Sequence, residues 1–175
     1  MANSKKEQEI FAVEPINRGI IPLETFKPSK SLKRELNKNI FEITVNKAFK
    51  DVMKACANRD ETWINGTIFE LYNELFKIKK AHSIEVWFND QLVGGLYGVS
   101  HKGAFFGESM FSIMKNTSKI ALFHLVNLLN KKGFILLDTQ FLTPHLASLG
   151  GIEISQKKYL KLLKEALNLK DLELP

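Results

Sequence analysis

The chain has 175 residues, 45% of them hydrophobic, and a formal net charge of +6, enough for one substantial core and too little for two independent ones. No apolar run reaches the roughly 20 residues of a bilayer-spanning helix, and the polar start through Glu9 lacks the apolar stretch of a secretory signal, so a cytoplasmic monomer is expected. The single cysteine, Cys56, excludes an intrachain disulfide, a redox pair and a thiolate zinc cage.

Residues 1–39 are predicted to be irregular, with a polar, disordered beginning and prolines at 15, 22 and 28 that favour extended chain. From Lys27 to Lys54 there are eight basic and three acidic residues, so this stretch holds +5 of the net +6. Its centre, Lys27, Lys30, Lys33, Arg34 and Lys38, suits phosphate neutralisation on a nucleic acid, although a basic run is also an ordinary solvated surface.

A folded domain is expected over 40–170. The alternation of Ile40-Phe-Glu-Ile-Thr-Val predicts a strand, and Asn46 looks like the N-cap of a helix running to Asn58 that buries Cys56. A second helix should start near Asn65 or Thr67, bury Ile68, Leu71, Tyr72, Leu75, Phe76 and Ile78, and end among Lys77 to Lys80. From His82 the period becomes two. Turns at Asn89-Asp90-Gln91 and His101-Lys102-Gly103 predict a three-stranded antiparallel meander.

An apolar helix after Asn116 should stop at Gly133, followed by a buried strand, 134–140, and a short helix, 144–149. A final helix capped by Ser155 should bury Tyr159, Leu160, Leu162, Leu163, Ala166 and Leu167. The histidines at 82, 101, 124 and 145 have neither i, i+4 pairing nor acid flanks, so no metal and no cofactor are expected. These elements make an α+β layered fold.

Three words of sequence carry a resemblance: Ser83-Ile-Glu-Val-Trp-Phe-Asn-Asp-Gln-Leu-Val-Gly-Gly-Leu-Tyr-Gly-Val, Gly107-Glu-Ser-Met-Phe-Ser, and Asp138-Thr-Gln followed by His145-Leu-Ala-Ser-Leu-Gly. With Pro22-Leu-Glu-Thr-Phe-Lys-Pro-Ser-Lys-Ser-Leu and Thr62-Trp-Ile in the same order, the chain resembles the leucyl/phenylalanyl-tRNA–protein transferases from Arg18 to Leu167. The resemblance implies an N-acetyltransferase-like (GNAT) fold with a mixed, largely antiparallel sheet. It also implies aminoacyl-tRNA as donor, a protein with N-terminal Arg or Lys as acceptor, and a degradation signal as product.

By the same resemblance Trp63 stacks on the terminal adenosine, and Tyr72, Leu96, Glu108, Met110, Leu125, Leu129 and Leu137 bind substrate. Asp138 and Gln140 form the proposed catalytic pair, and the basic 27–38 stretch meets the tRNA. Phe11-Ala-Val-Glu-Pro-Ile-Asn-Arg replaces the family's tryptophan-bearing motif, and Leu125 and Leu129 stand where aromatic rings are common, which implies a reshaped donor pocket.

Chemistry supports this division of labour. An α-amino group has a pKa of about 7.7–8.0 and an aminoacyl ester is already activated, so positioning supplies much of the rate. Glutamine is no general base; Gln140 is expected to hold the amine or ester while Asp138 orients its amide, with a ribose hydroxyl or water carrying the proton. Asp138 as a satisfied structural carboxylate stays open. Glu108, in an apolar setting, needs a cationic partner: substrate, or a structural residue such as Arg34. Gly94, Gly95 and Gly98 suit either close substrate approach or a bulge. An acyl-CoA-dependent N-acetyltransferase and a non-catalytic tRNA-binding adaptor are the competing functional readings.

Overall fold

The computed structural model describes residues 13–59 and 62–175; the start through Glu9 and the residues Phe11 and Ala12 lie outside the described residues. The elements in order are β1 (Asn17–Ile21), α1 (Lys30–Asn37), β2 (Glu42–Val45), α2 (Phe49–Ala57), α3 (Gly66–Lys77), β3 (Ala81–Phe88) and β4 (Gln91–His101). There follow β5 (Ala104–Ser112), α4 (Thr117–Lys132), β6 (Leu136–Gln140), α5 (Pro144–Ser148), β7 (Ile152–Ser155) and α6 (Gln156–Leu167). The strands form one seven-stranded sheet in the order β2-β3-β4-β5-β6-β1-β7. Every neighbouring pair is antiparallel except β5 and β6, whose connection runs through α4, as a parallel crossover requires. This is the mixed, largely antiparallel α+β arrangement implied above.

The meander follows the sequence closely. Asn89 and Asp90 take φ +49° and +60°, the left-handed pair that matches strand twist in a two-residue hairpin. Alternation along β4 sends Leu96 into the core beneath α4 and Tyr97 into the core beneath α2 and α3. α4 buries Ile120, Leu122, Leu125, Val126 and Leu129 and ends at Gly133 with φ +84°, where a side chain would be strained.

The segment 13–39, expected to be irregular, holds β1 and α1. β1 lies between β6 and β7 and buries Ile20 and Ile21; Pro15 and Pro22 flank this short strand and so cost it no ladder bond. α1 starts at Ser29, whose hydroxyl accepts from the Leu32 N–H, and docks on α4 through Leu32. β7, a strand of four residues not predicted from the sequence, ends at Ser155, which also fills its expected role as the cap of α6.

Asn46 does not cap α2. It takes φ +61° and its Oδ1 accepts from the Ser83 N–H, while the buried Glu85 carboxylate accepts from Thr44, Ser83 and, at 3.4 Å, the Lys47 and Ala48 N–H groups at the start of α2. Leu71, Ile78 and Leu160 are exposed because each helix buries a narrower stripe than its leucine content suggests.

Gly94, Gly95 and Gly98 serve packing. A methyl on Gly98 would collide with the Phe106 carbonyl and the Phe105 ring, so Gly98→Ala should lower stability by about 1–3 kcal/mol, measured by denaturant unfolding.

Candidate active site

β5 and β6 pair only through Ala104↔Leu136, Phe105↔Leu137 and Phe106↔Asp138. Beyond this point β6 ends against β1 at Gly19↔Gln140, whereas β5 stays with β4 as far as Gly94↔Ser112. The two strands therefore part in the middle of the sheet. A cavity of about 1210 Å³ fills the gap and reaches both faces. On the α4 face its wall is apolar, made by Leu96, Met110, Leu122, Leu125 and Leu137; on the α2–α3 face it is mixed, made by Asn58, Arg59, Trp63, Tyr97 and Ser109.

Glu108 lies where the two halves meet, and a β-bulge puts it there. Tyr97 pairs with Ser109 and Gly98 with Gly107, leaving Glu108 as the extra residue that a bulge re-aims. Burial is the largest effect on its carboxyl and raises its pKa; the nearby Tyr72 hydroxyl favours the charged form, Asp138 opposes it and Arg18 favours it. Arg34, offered above as a structural partner, is exposed on α1 and plays no part.

Tyr72 sits behind Glu108 outside the cavity wall, and burial, followed by that carboxylate, pushes its phenol pKa up. Tyr97 is completely buried in the wall and its hydroxyl has no partner among the described residues. Cys56 is buried, with its thiol pushed up to about 12 mainly by that burial, so it is no nucleophile at neutral pH.

Asp138 and Gln140 take different places. The Asp138 carboxylate is fully buried and does not line the cavity. Arg18 Nε donates to both its oxygens at 3.1 Å and Nη2 to Oδ2 at 2.7 Å. Tyr159 Oη donates to Oδ2 at 2.7 Å, and the Gln140 backbone N–H to Oδ1 at 2.7 Å. The guanidinium also lies 4.8 Å from the centre of the Tyr159 ring. Asp138 thus holds the backbone of Gln140, where it was expected to orient the side-chain amide as two residues on the same side of an alternating strand would. Alternation fails because Gln140 has φ +59° and has left the extended region. Gly19 makes room for this turn: a methyl there would stand 2.6 Å from the Phe141 carbonyl carbon.

Trp63, Leu96, Glu108, Met110, Leu125, Leu137 and Gln140 all line the one cavity. Leu129 does not; it is fully buried one turn beyond Leu125 on α4, and so supports the pocket from behind. Lys27, Lys30, Lys33, Arg34 and Lys38 form an exposed surface on and around α1, apart from the cavity, with Lys38 bonded to Glu35 at 2.8 Å. Arg18, Arg59 and Tyr97 escaped the sequence reading: Arg18 acts through a partner 120 residues away, and Arg59 and Tyr97 acquire their setting only where the sheet opens. Among the described residues no three His, Cys, Asp or Glu side chains converge on a metal-sized site.

The profile of the leucyl/phenylalanyl-tRNA protein transferase family matches residues 20–164. A leucyl/phenylalanyl-tRNA–protein transferase of Ruegeria sp. (strain TM1040) is 56% identical over 168 residues, 96% of this chain and 80% of that protein. One of Phenylobacterium zucineum (strain HLK1) is 49% identical over 95% of this chain and 77% of its own length. Among solved structures FemX, at 12% identity, superposes with a TM-score of 0.57 over 94% of this chain and 68% of that one, a likeness of fold. The chain belongs to the leucyl/phenylalanyl-tRNA–protein transferase family.

Proposed function

We propose that the chain transfers a hydrophobic amino acid from its tRNA ester to the N-terminal amine of an acceptor protein at the opening between β5 and β6. The observation that carries this is the two-sided cavity, which separates an apolar wall from a mixed one with Glu108 and Gln140 between them. The transferred side chain lies against Leu96, Met110, Leu122, Leu125 and Leu137. The esterified adenosine takes the α2–α3 side, where the half-buried Trp63 ring offers a base-stacking platform. This brings the ester carbonyl to the level of Glu108 and Gln140.

The acceptor assignment rests on Glu108. Glu108 is a half-buried carboxyl on the cavity whose pKa burial raises, and a cation entering beside it favours its charged form. An N-terminal Arg or Lys carries two such cations, the amine and the side chain. The amine first gives up its extra proton to water and then attacks the ester carbonyl; its nitrogen–carbon bond forms, the carbonyl carbon–ribose oxygen bond breaks, and a second proton passes from the nitrogen through the ribose hydroxyl or a water to that oxygen, which leaves with the tRNA. Gln140, held in its left-handed turn by Asp138, positions the amine or the carbonyl. The exposed Lys27, Lys30, Lys33, Arg34 and Lys38 face the body of the tRNA, whose phosphates they neutralise. No helix is long and apolar enough to cross a membrane among the described residues; we place the protein in the cytoplasm with its charged tRNA, acting as a monomer on acceptors destined for degradation.

Mixing the protein with labelled Leu-tRNA or Phe-tRNA and peptides that begin with Arg, Lys or Ala tests the assignment: label should move to the first two and not the third. Equal labelling of all three contradicts the acceptor reading, and tRNA binding without transfer contradicts the enzyme. In the same assay Gln140→Ala should lower kcat by about 10²-fold with tRNA affinity within a few-fold, whereas equal losses in both would remove Gln140 from the reaction centre. Gln140→Asn, whose residue type tolerates left-handed backbone, controls for loss of the turn.

A further inference from the structure

Arg59 stands just beyond α2 and reaches across to β5. Its Nη2 donates to the Met110 carbonyl and, at 3.4 Å, to Ser109 Oγ. Met110 lies opposite Leu96, and the Ile113 N–H is bonded to the Val93 carbonyl. Alternation along an antiparallel pair then turns the Met110 carbonyl away from β4, toward the opening between β5 and β6. Arg59 therefore anchors itself on the lip of the cavity, on the face that also carries Trp63.

Two arginines line the cavity, and they are not equivalent. Arg18 is spent on Asp138 and Tyr159. His145 also lines it, but burial first and Lys119 second lower its pKa, which disfavours its cationic form, whereas a guanidinium stays charged. Arg59 is exposed, and no carboxylate pairs with it among the described residues. A guanidinium has five donors in a rigid fork; one nitrogen holds the strand and the outward donors remain available.

We propose that Arg59 binds a backbone phosphate next to the esterified adenosine of the donor, as a contact separate from the basic surface around α1. This rests on the reading of the donor as aminoacyl-tRNA. The match is one of charge and of preorganisation: a donor fork held at the mouth meets the anion that a phosphodiester brings there when the adenosine is seated. A positioning role limited to propping β5 is the alternative that must be separated from it.

The test compares three donors with an Arg-initiated peptide as acceptor: Leu-tRNA, a 3′-leucyl dinucleotide with one phosphodiester, and 3′-leucyl adenosine, which has none. For Arg59→Gln, KM for the dinucleotide should rise by about tenfold to a hundredfold, as expected for a lost charge-assisted contact, while KM for leucyl adenosine stays within about twofold. For Leu-tRNA the salt dependence of binding should lose about 0.7–0.9 of log–log slope, one phosphate contact. Arg59→Lys, which keeps a point charge without the fork, should recover part of the dinucleotide effect. Equal losses with both small donors, or no loss with either, would overturn the phosphate contact and leave Arg59 a strand prop. Wild-type protein inactive with all three donors would instead overturn the donor reading itself. Thermal unfolding of both variants checks that the fold is retained.

Discussion

Asp138→Ala should abolish measurable transfer and lower stability by about 3–5 kcal/mol, the range for breaking a buried ion pair from one side. The carboxylate is fully buried and gathers donors from three parts of the chain: Arg18 on β1, Tyr159 on α6 and the Gln140 N–H at the end of β6. Truncation leaves a guanidinium and a phenol without their acceptor, and each then bears its own desolvation. It also frees the turn that presents Gln140 to the cavity. Denaturant unfolding and single-turnover transfer measure the two losses. Asp138→Asn keeps an acceptor for the Gln140 N–H but leaves Arg18 uncompensated, so it should be destabilised as well. A variant with wild-type stability and no activity would contradict this scaffold role and move Asp138 into the chemistry.

Glu108→Gln should lower kcat/KM with an Arg-initiated acceptor by about a hundredfold or more, the cost of removing one partner of a desolvated charge pair, and yet make the free protein more stable at neutral pH. Burial raises the folded-state pKa of this carboxyl above its ordinary 4.5, so the folded chain binds the proton more tightly than the unfolded chain does. Its favourable contribution is therefore complete below about 4.5 and is lost as pH climbs through the raised value. Glutamine does not ionise and avoids that loss. The stability difference between Glu108→Gln and wild type should be near zero in acid and grow with pH. A variant as active as wild type, or one whose stability difference does not change with pH, would contradict the assignment.

The local part of the fold was legible. Alternation and left-handed turn residues such as Asn89 and Asp90 mark the meander, and Gly133 marks the end of α4. The identities of Trp63, Glu108, Met110, Leu125 and Gln140 were also readable as one site, through the resemblance, and they do share one cavity. What escaped depends on distant pairing. β1 has five residues, two of them polar or charged beside a glycine, and becomes a strand only because β6 and β7 supply an edge on each side. Arg18 cannot be matched to Asp138 by any local pattern when 120 residues separate them. The bulge at Glu108 and the parting of β5 from β6 belong to register, and a period-two signal looks the same with or without one extra residue. Leu129 shows the same limit within one helix: its spacing from Leu125 puts both on the buried side of α4, and only the position of the opening decides which of them meets a ligand.

The account stands on the opening between β5 and β6 as the place where ester and amine meet. A crystal structure with a hydrolysis-resistant 3′-leucylamido adenosine measures this directly. The leucyl side chain should lie against Leu96, Leu122, Leu125 and Leu137 on the α4 face, the adenine on Trp63 on the other, and the carbonyl between Glu108 and Gln140. An analogue seated on the basic surface around α1, or with its two ends on a single face of the sheet, would contradict it.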